Sequence, residues 1–378
     1  MKIEFRALDG TSLGATRHVT VLHFGPEQAE RKIYIQASLH ADELPGSLVA
    51  YHLRPLLEQL EQEGRIKSQI VLVPLCNPMG LAQTLMYKQS GRFDLFTGRN
   101  FNRLTNFPLY ENVLAKLQAN PHVLGADAQA NVQLIRGLMA EEVARYQPQS
   151  QVDLLQHTLV SLAYDADVVI DLHCDEKAVM HTYTLPQLWS QLEPLARYLG
   201  SECQILSESS GSNAFDEFLS TIWLRLSREF PQANIPCACF STTVELRGEA
   251  DLDHELAKAD AQAIVQYLAH SGDVALDAQA IQPMPPLLRE PYPLAGLQYI
   301  LAPTSGIVVY RVRAGDIVSK GQAVAELIDP INQISTPVLS LADGFVFATH
   351  SANFAQQGAT LVSVSGSEDL GLGEALGP

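Results

Sequence analysis

Ile33-Tyr-Ile-Gln-Ala-Ser-Leu-His40-Ala-Asp-Glu43 reads as a buried strand that runs into a turn and then a helix. His40 and Glu43, both good zinc ligands, sit where that strand ends. Alone, His-x-x-Glu recurs by chance in long sequences. A second apolar strand, Ala166-Asp-Val-Val-Ile-Asp-Leu-His173, also ends on a histidine. Two imidazoles and a carboxylate at adjacent strand ends make a catalytic zinc site with one position left open for water. Ligand chemistry favours one zinc ion per chain without excluding cobalt or manganese.

Outward from this stretch, the chain alternates strands and helices. Residues 3–24 alternate in polarity and predict a β-hairpin. Residues 42–63 carry Leu48, Val49, Leu53, Leu56, Leu57 and Leu60 at helical spacing, with Pro45 in the first turn and Gly64 at the end. Gln69 to Leu75 is a continuous apolar strand, as in a sheet covered on both faces. Residues 81–107 form a long polar and aromatic loop, and loops of that length in compact domains are functional or mobile. Helical patterns fill 109–164, with breaks near Pro121 and Pro148, and most of 186–230. A strand over 238–246 precedes an amphipathic helix over 251–269. This order predicts an α/β fold with a mixed, mostly parallel central sheet flanked by helices. Ligands of such sheets sit beyond the carboxyl ends of the strands, where His40, His173 and Glu245 fall.

The chain has 378 residues, long enough for two domains. Residues 1–270 form the first, and 271–295, rich in Pro and Ala, a linker. Residues 296–366 hold two copies of a Gly, strand, turn, Gly, strand pattern, from Gly306 and from Gly344, and predict a small all-β module of barrel-sandwich type. Residues 367–378 are expected to be a frayed tail.

With 47% apolar and 18% charged residues the composition is globular, and the formal net charge is -17. That charge argues against nucleic acid and anionic membranes as partners, since basic patches bind both. Local arginines still permit a small anionic substrate. Met1 to Gly10 lacks the apolar core of a secretory leader, and no run is long enough to span a bilayer. The five cysteines are unpatterned, which fits reduced thiols in a cytoplasmic protein. Cys174 follows His173, but strand neighbours point to opposite faces, so it is not expected to join the metal.

Further candidates surround the ligands. Glu245, in Thr242-Thr-Val-Glu-Leu-Arg247, points away from the face of Val244 and Leu246, where a carboxylate can shuttle a proton from water. The plain alternative is a surface pair with Arg247. Asp171 shares a strand face with His173 and is either its supporting partner or an ordinary strand-end carboxylate. The loop gathers Arg92, Arg99, Asn102 and Arg103, side chains suited to bind a carboxylate or steady an oxyanion. A solvated basic loop is disfavoured, because the chain has only 25 basic residues and gathers three of them here.

His40-x-x-Glu43, Asn102-Arg103, Asp171-Leu-His173 and Val244-Glu245, in that order, resemble the signature of the succinylglutamate desuccinylase/aspartoacylase family, within the zinc carboxypeptidase superfamily. The resemblance covers roughly residues 30 to 270. It implies zinc at His40, Glu43 and His173, Glu245 as general base and later acid, and Asn102 with Arg103 on a substrate carboxylate. It also implies an upstream arginine that polarises the scissile carbonyl. Arg92 is the choice, with Arg99 as competitor. The implied activity is zinc-dependent hydrolysis of a linear amide, releasing the acyl group of an N-acyl amino acid or related small anion. A peptidase acting on short peptides and a non-catalytic zinc-containing binding protein are the alternatives. The C-terminal module is similar to biotinyl and lipoyl carrier domains. The tip between its half-repeats, Ile328 to Ser335, has no attachment lysine, so neither cofactor is expected. The module is expected to pack near the active-site mouth and limit substrate size, or to mediate homo-oligomerisation.

Overall fold

The computed structural model describes residues 1–10, 13–209, 211 and 213–369. Its centre is a nine-stranded mixed sheet. The strands are β1 (Lys2–Ala7), β2 (His18–Phe24), β3 (Lys32–Ala37), β4 (Gln69–Val73), β5 (Val168–Asp175), β6 (His181–Thr184), β7 (Cys203–Leu206), β8 (Phe240–Gly248) and β9 (Tyr292–Pro293). They lie in the order β1-β2-β4-β3-β5-β8-β6-β7-β9. β4, β3, β5 and β8 run parallel, and β1, β2 and β6 enter antiparallel ladders.

Both faces of the sheet are covered, which explains the apolar strands. In β3, Ile33 and Ile35 pack beneath α1 (Pro45–Gln62), α5 (Trp189–Leu199) and α7 (His254–His270). Tyr34 between them packs on the other face. There it meets the layer of α2 (Leu109–Ala119), α3 (Ala128–Arg145), α4 (Gln151–Ala163) and α6 (Phe215–Glu229). The alternation of strand side chains thus feeds two cores. α1 begins at Pro45, three residues later than the pattern suggested, because His40 to Leu44 form the turn that carries two ligands.

Two strands escape the sequence pattern. β6 lies just before, and β7 within, the 186–230 stretch expected to be mostly helical, and they extend the sheet beyond β8. The 271–295 connection is also partly structural: Val274 bridges Ile66, and β9 pairs with β7.

The C-terminal β module holds β10 (Leu297–Leu301), β11 (Gly306–Tyr310), β12 (Ile317–Val318), β13 (Ala323–Asp329), β14 (Ile334–Leu339), β15 (Gly344–Thr349), β16 (Phe354–Ala355) and β17 (Thr360–Ser365). One sheet runs β10-β17-β15-β12 and the other β14-β13-β11-β16. The module does not hang on a free linker. The short strand Lys177–Ala178, just past β5, pairs with β15 through Ala348 and Thr349. Val179, Cys203 and Ile205 of the first domain share a core with Leu297, Phe345 and Phe347. Of the expected tail, residues 370–378 lie outside the described residues.

Candidate metal centre and its cavity

The turn after β3 is built to present a ligand. Ser38 takes a left-handed conformation, φ 60°, and its Oγ donates to the Glu43 carbonyl at 2.9 Å. The chain therefore reverses at once, and His40 and Glu43 both point inward, 3% and 4% exposed. Gly46 lets the first turn of α1 close on β5, since a Cβ there would stand 2.9 Å from Leu172 Cβ. His173 comes from β5, 2% exposed.

Glu43 stands between the two imidazoles. Its Oε1 is 2.8 Å from His40 Nδ1 and its Oε2 is 2.7 Å from His173 Nδ1. Each far nitrogen has a polar neighbour. His40 Nε2 is 2.9 Å from Asn100 Oδ1, an oxygen that already accepts from the Asn102 amide, so Nε2 is the donor. His173 Nε2 lies 3.1 Å from Asp171 Oδ2, though not aligned as a hydrogen bond. At His40 the contact with Asn100 places the proton on Nε2 and leaves Nδ1 as a lone-pair donor beside Glu43, as a metal requires. One donor atom from each of the three residues fits within 4.8 Å of the others. The donor set suits zinc. Cys174 stays out of this group; its amide donates to Glu43 Oε2 at 3.3 Å.

The electrostatics of the three side chains suit a bound cation. Burial pushes the Glu43 carboxyl up, but the two imidazoles outweigh it and hold the carboxyl well below the usual range. Burial lowers His40, while at His173 burial is overridden by Asp171 and Glu43, which raise it well above the usual value.

Glu245 on β8 lies in register with His173 on β5 and faces the same cavity. Burial first, then Glu43 and Asp175, push its carboxyl well up, and its Oε2 has no partner. It does not pair with Arg247, which instead binds Asp260. The cavity of about 380 Å³ is also lined by Arg92, Asn102 and Arg103. Gly91 sets Arg92: its carbonyl accepts from Ala41 N at 3.0 Å and its amide donates to Asp42 Oδ2 at 2.9 Å. Arg92 Nη1 then reaches Glu43 Oε1 at 3.2 Å. Asn102 Oδ1 accepts from the Phe215 amide at 2.7 Å, tying the loop to the start of α6. Burial and neighbouring Arg92 lower the Arg103 pKa, which Glu217 and Asp216 partly restore.

Arg99 is not brought to this cavity. Its Nη1 donates to Asp153 Oδ1 at 2.6 Å and to Ser150 Oγ at 3.0 Å, pinning the loop to the first turn of α4. Of the two competing arginines, Arg92 alone stands beside the ligands.

A family model of the succinylglutamate desuccinylase/aspartoacylase catalytic domain matches residues 29–271. The chain belongs to this family. A family protein from Shewanella amazonensis is 26% identical, with a TM-score of 0.81 over 97% of this chain and 98% of that one. A second, from Shewanella frigidimarina, is 24% identical with a TM-score of 0.80, over 96% of each chain. The ectoine utilization protein EutE (DoeB) from Ruegeria pomeroyi shares the fold at 14% identity and a TM-score of 0.63, over 97% of this chain and 95% of that one. No match was found among curated proteins. All three aligned structures extend across the C-terminal β module as well as the family's catalytic domain.

Several residues at the site lie outside the signature motifs. Asn100 holds His40, and Asp216 lines the cavity with its carboxyl pushed up to about 7 by burial, Glu217 and Asp171. From the C-terminal module come Tyr299, Phe347 and His350. The short spacing of Asn100 before the Asn-Arg pair was the one available signal. The module residues had none, because their place depends on the pairing of Lys177–Ala178 with β15. Among the described residues, no helix is long and apolar enough to cross a membrane.

Proposed function

We propose that the chain is a zinc-dependent amide hydrolase that removes the acyl group from an N-acyl amino acid or a related small anion. The observation that carries this reading is the convergence of His40, Glu43 and His173 in a cavity that also receives Glu245 and Arg92. His40, His173 and Glu43 would hold the zinc. When bound, zinc polarises the scissile carbonyl and brings water to a pKa of about 7.

The chain's own groups supply the rest. Glu245, buried and without a partner at Oε2, takes one proton from the attacking water. The water oxygen joins the acyl carbon, the C–N bond breaks, and Glu245 returns the proton to the departing nitrogen. Arg92 donates to the oxygen that gains charge. Arg103 binds a substrate carboxylate, and Asn102 fixes that loop against α6. Asn100 and Asp171 orient the two imidazoles. The module residues that line the cavity leave room for a small substrate, which favours an acyl amino acid over a long peptide.

The test is hydrolysis by zinc-loaded protein of N-acetyl, N-succinyl and N-formyl amino acids and short peptides, with chelated protein as control. Chelator-sensitive release of one acyl amino acid supports the reading. Turnover of peptides alone replaces it with a peptidase, and zinc binding without any turnover replaces it with a binding role.

A further inference from the structure

The nine-stranded sheet ends on β1 at one side and on β9 at the other. β9 is only two residues long, contains Pro293, and lies beside the core shared with the C-terminal module. β1 is six residues long, and among the described residues β2 is its one strand partner. None of its residues is buried, and Ile3 and Phe5 are 44% and 63% exposed. An edge of that length, with free backbone groups and exposed apolar side chains, is a template for another strand.

Parity decides which backbone groups are free. Leu8 N donates to the Arg17 carbonyl at 2.8 Å, and the same register runs on through Arg6 with Val19, Glu4 with Val21 and Lys2 with His23. Hydrogen-bonded and non-hydrogen-bonded pairs alternate along an antiparallel ladder. The backbone groups of Lys2, Glu4 and Arg6 therefore face β2, and those of Ile3, Phe5 and Ala7 turn outward. Side chains divide the same way, with Lys2, Glu4 and Arg6 on one face of the strand and Ile3, Phe5 and Ala7 on the other.

A second copy of β1 fits this edge, and its charges select the register. Two antiparallel copies about a two-fold axis set outward residues opposite outward residues. An axis at Glu4 puts Glu4 against Glu4 and Lys2 against Arg6, and an axis at Arg6 puts Arg6 against Arg6. Like charges directly opposite are unfavourable. An axis at Ile3 puts Lys2 against Glu4 but leaves Arg6 and Ala7 outside the ladder. An axis at Phe5 puts Glu4 of each copy against Arg6 of the other and brings the two Phe5 side chains together. Phe5 then exchanges both backbone bonds with Phe5, and Ile3 does so with Ala7. Within one chain Glu4 meets Arg6 Nε at 2.6 Å and His23 Nε2 at 2.8 Å, yet the Glu4 and Arg6 side chains remain 29% and 45% exposed, open to a second partner. The strand's Lys2 and Arg6 outnumber its Glu4 in a chain of net charge -17, so two acidic copies can meet here without acid facing acid.

We propose that β1 is a self-association edge: two copies of the chain pair it antiparallel about Phe5, joining their sheets, with Glu4 of each against Arg6 of the other. The inference does not depend on the deacylase reading, since β2 and β4 separate β1 from the ligand-bearing β3.

Sedimentation velocity on the full-length protein, over a micromolar concentration series, tests this. The parent should pass from monomer to dimer, and a monomer throughout overturns the proposal. Phe5→Pro removes an outward N–H that takes no part in the β1–β2 ladder, so it should keep the parent's far-UV circular dichroism and lose the dimer. A dimer that survives this change overturns the proposal. Charge reversal gives a second route that spares the backbone. Glu4→Arg should weaken the dimer about tenfold, as two cross-strand pairs turn repulsive, and adding Arg6→Glu should restore most of the loss. A double variant no tighter than Glu4→Arg alone overturns the Glu4–Arg6 contact. Lys2→Glu should change the dimer by no more than a few-fold, because the Phe5 axis sets Lys2 opposite Leu8. A dimer abolished by Lys2→Glu moves the axis to Ile3 and overturns the register.

Discussion

Replacing Arg99 with alanine should damage the fold and spare the chemistry. Arg99 Nη1 meets Asp153 Oδ1 at 2.6 Å, with the Asp153 side chain 3% exposed and the Arg99 side chain 23% exposed. Removing one partner of a buried pair strands the other charge and costs about 3–5 kcal/mol. Asp153 keeps the Ser150 hydroxyl at 2.8 Å and Asn106 Nδ2 at 3.3 Å, which places the cost at the low end, roughly 3 kcal/mol. The assay is urea unfolding followed by tryptophan fluorescence, since Trp223 is buried against this helical layer. The pH dependence supplies a second readout. Burial pushes Asp153 up, but Arg99 and Ser150 outweigh it and hold its carboxyl below the ordinary value. A depressed carboxyl stabilises the fold above its unfolded pKa of about 3.9 and loses that contribution as pH falls through its folded value. The gap between Arg99→Ala and the parent should therefore narrow in acid. Turnover by the folded variant should remain within a few-fold of the parent. A variant as stable as the parent, but as inactive as Arg92→Ala, would refute the argument and return Arg99 to the active site.

Glu245→Gln should bind zinc at parental stoichiometry and lose about 10²–10⁴-fold in kcat; metal analysis and steady-state kinetics check this, and near-parental turnover removes Glu245 from the mechanism. His173→Ala should bind zinc far more weakly than the parent in a competitive chelator titration, whereas Asn100→Ala, which removes only the partner of His40 Nε2, should lose about 10–100-fold in affinity. At the module boundary, His350 and then burial and Ser351 act on Glu176, with a net effect that holds its carboxyl at about 2. Burial lowers His350, but Glu176 outweighs it and raises the imidazole. The Glu176 contribution is then present above about pH 4.5 and lost as pH falls toward about 2. The His350 contribution is complete below its unfolded pKa of about 6.5 and fades as pH rises through its raised folded value. Glu176→Gln should flatten both slopes in thermal melts taken across pH, and unchanged slopes would show that the clamp contributes nothing.

The candidate metal centre was legible because its three side chains obey local rules. A β-strand that ends in a polar turn exposes whatever follows it, and His40, Glu43 and His173 are placed by such ends. Glu245 was legible through simple alternation on β8, since Val244 and Leu246 pack into one core. The arginines were not separable from sequence. Arg92 and Arg99 share one loop, and which of them reaches the cavity depends on Gly91 locking against Ala41 and Asp42, and on Asp153 from a helix far along the chain. β6 and β7 were hidden for a related reason. They are short, their stretches lack a long period-two pattern, and their pairing is decided by β8 on one side and β9 on the other. Asp216 and Tyr299 arrive at the cavity only through tertiary packing, so no local pattern marks them.

The pairing of Lys177–Ala178 with β15 sets a limit on how this protein can be taken apart. Only three residues separate the candidate ligand His173 from Lys177, and the next contact, Val179 N to the Phe347 carbonyl at 2.9 Å, again belongs to the module. A gene shortened after His270 would delete the far partner of that strand, strip β9 from β7, and uncover Val179, Cys203 and Ile205. Evolution or engineering that exchanges the module must therefore preserve a backbone ladder a few residues from the candidate metal site. The two parts are packed as one unit, and a swapped module arrives with its own cavity wall.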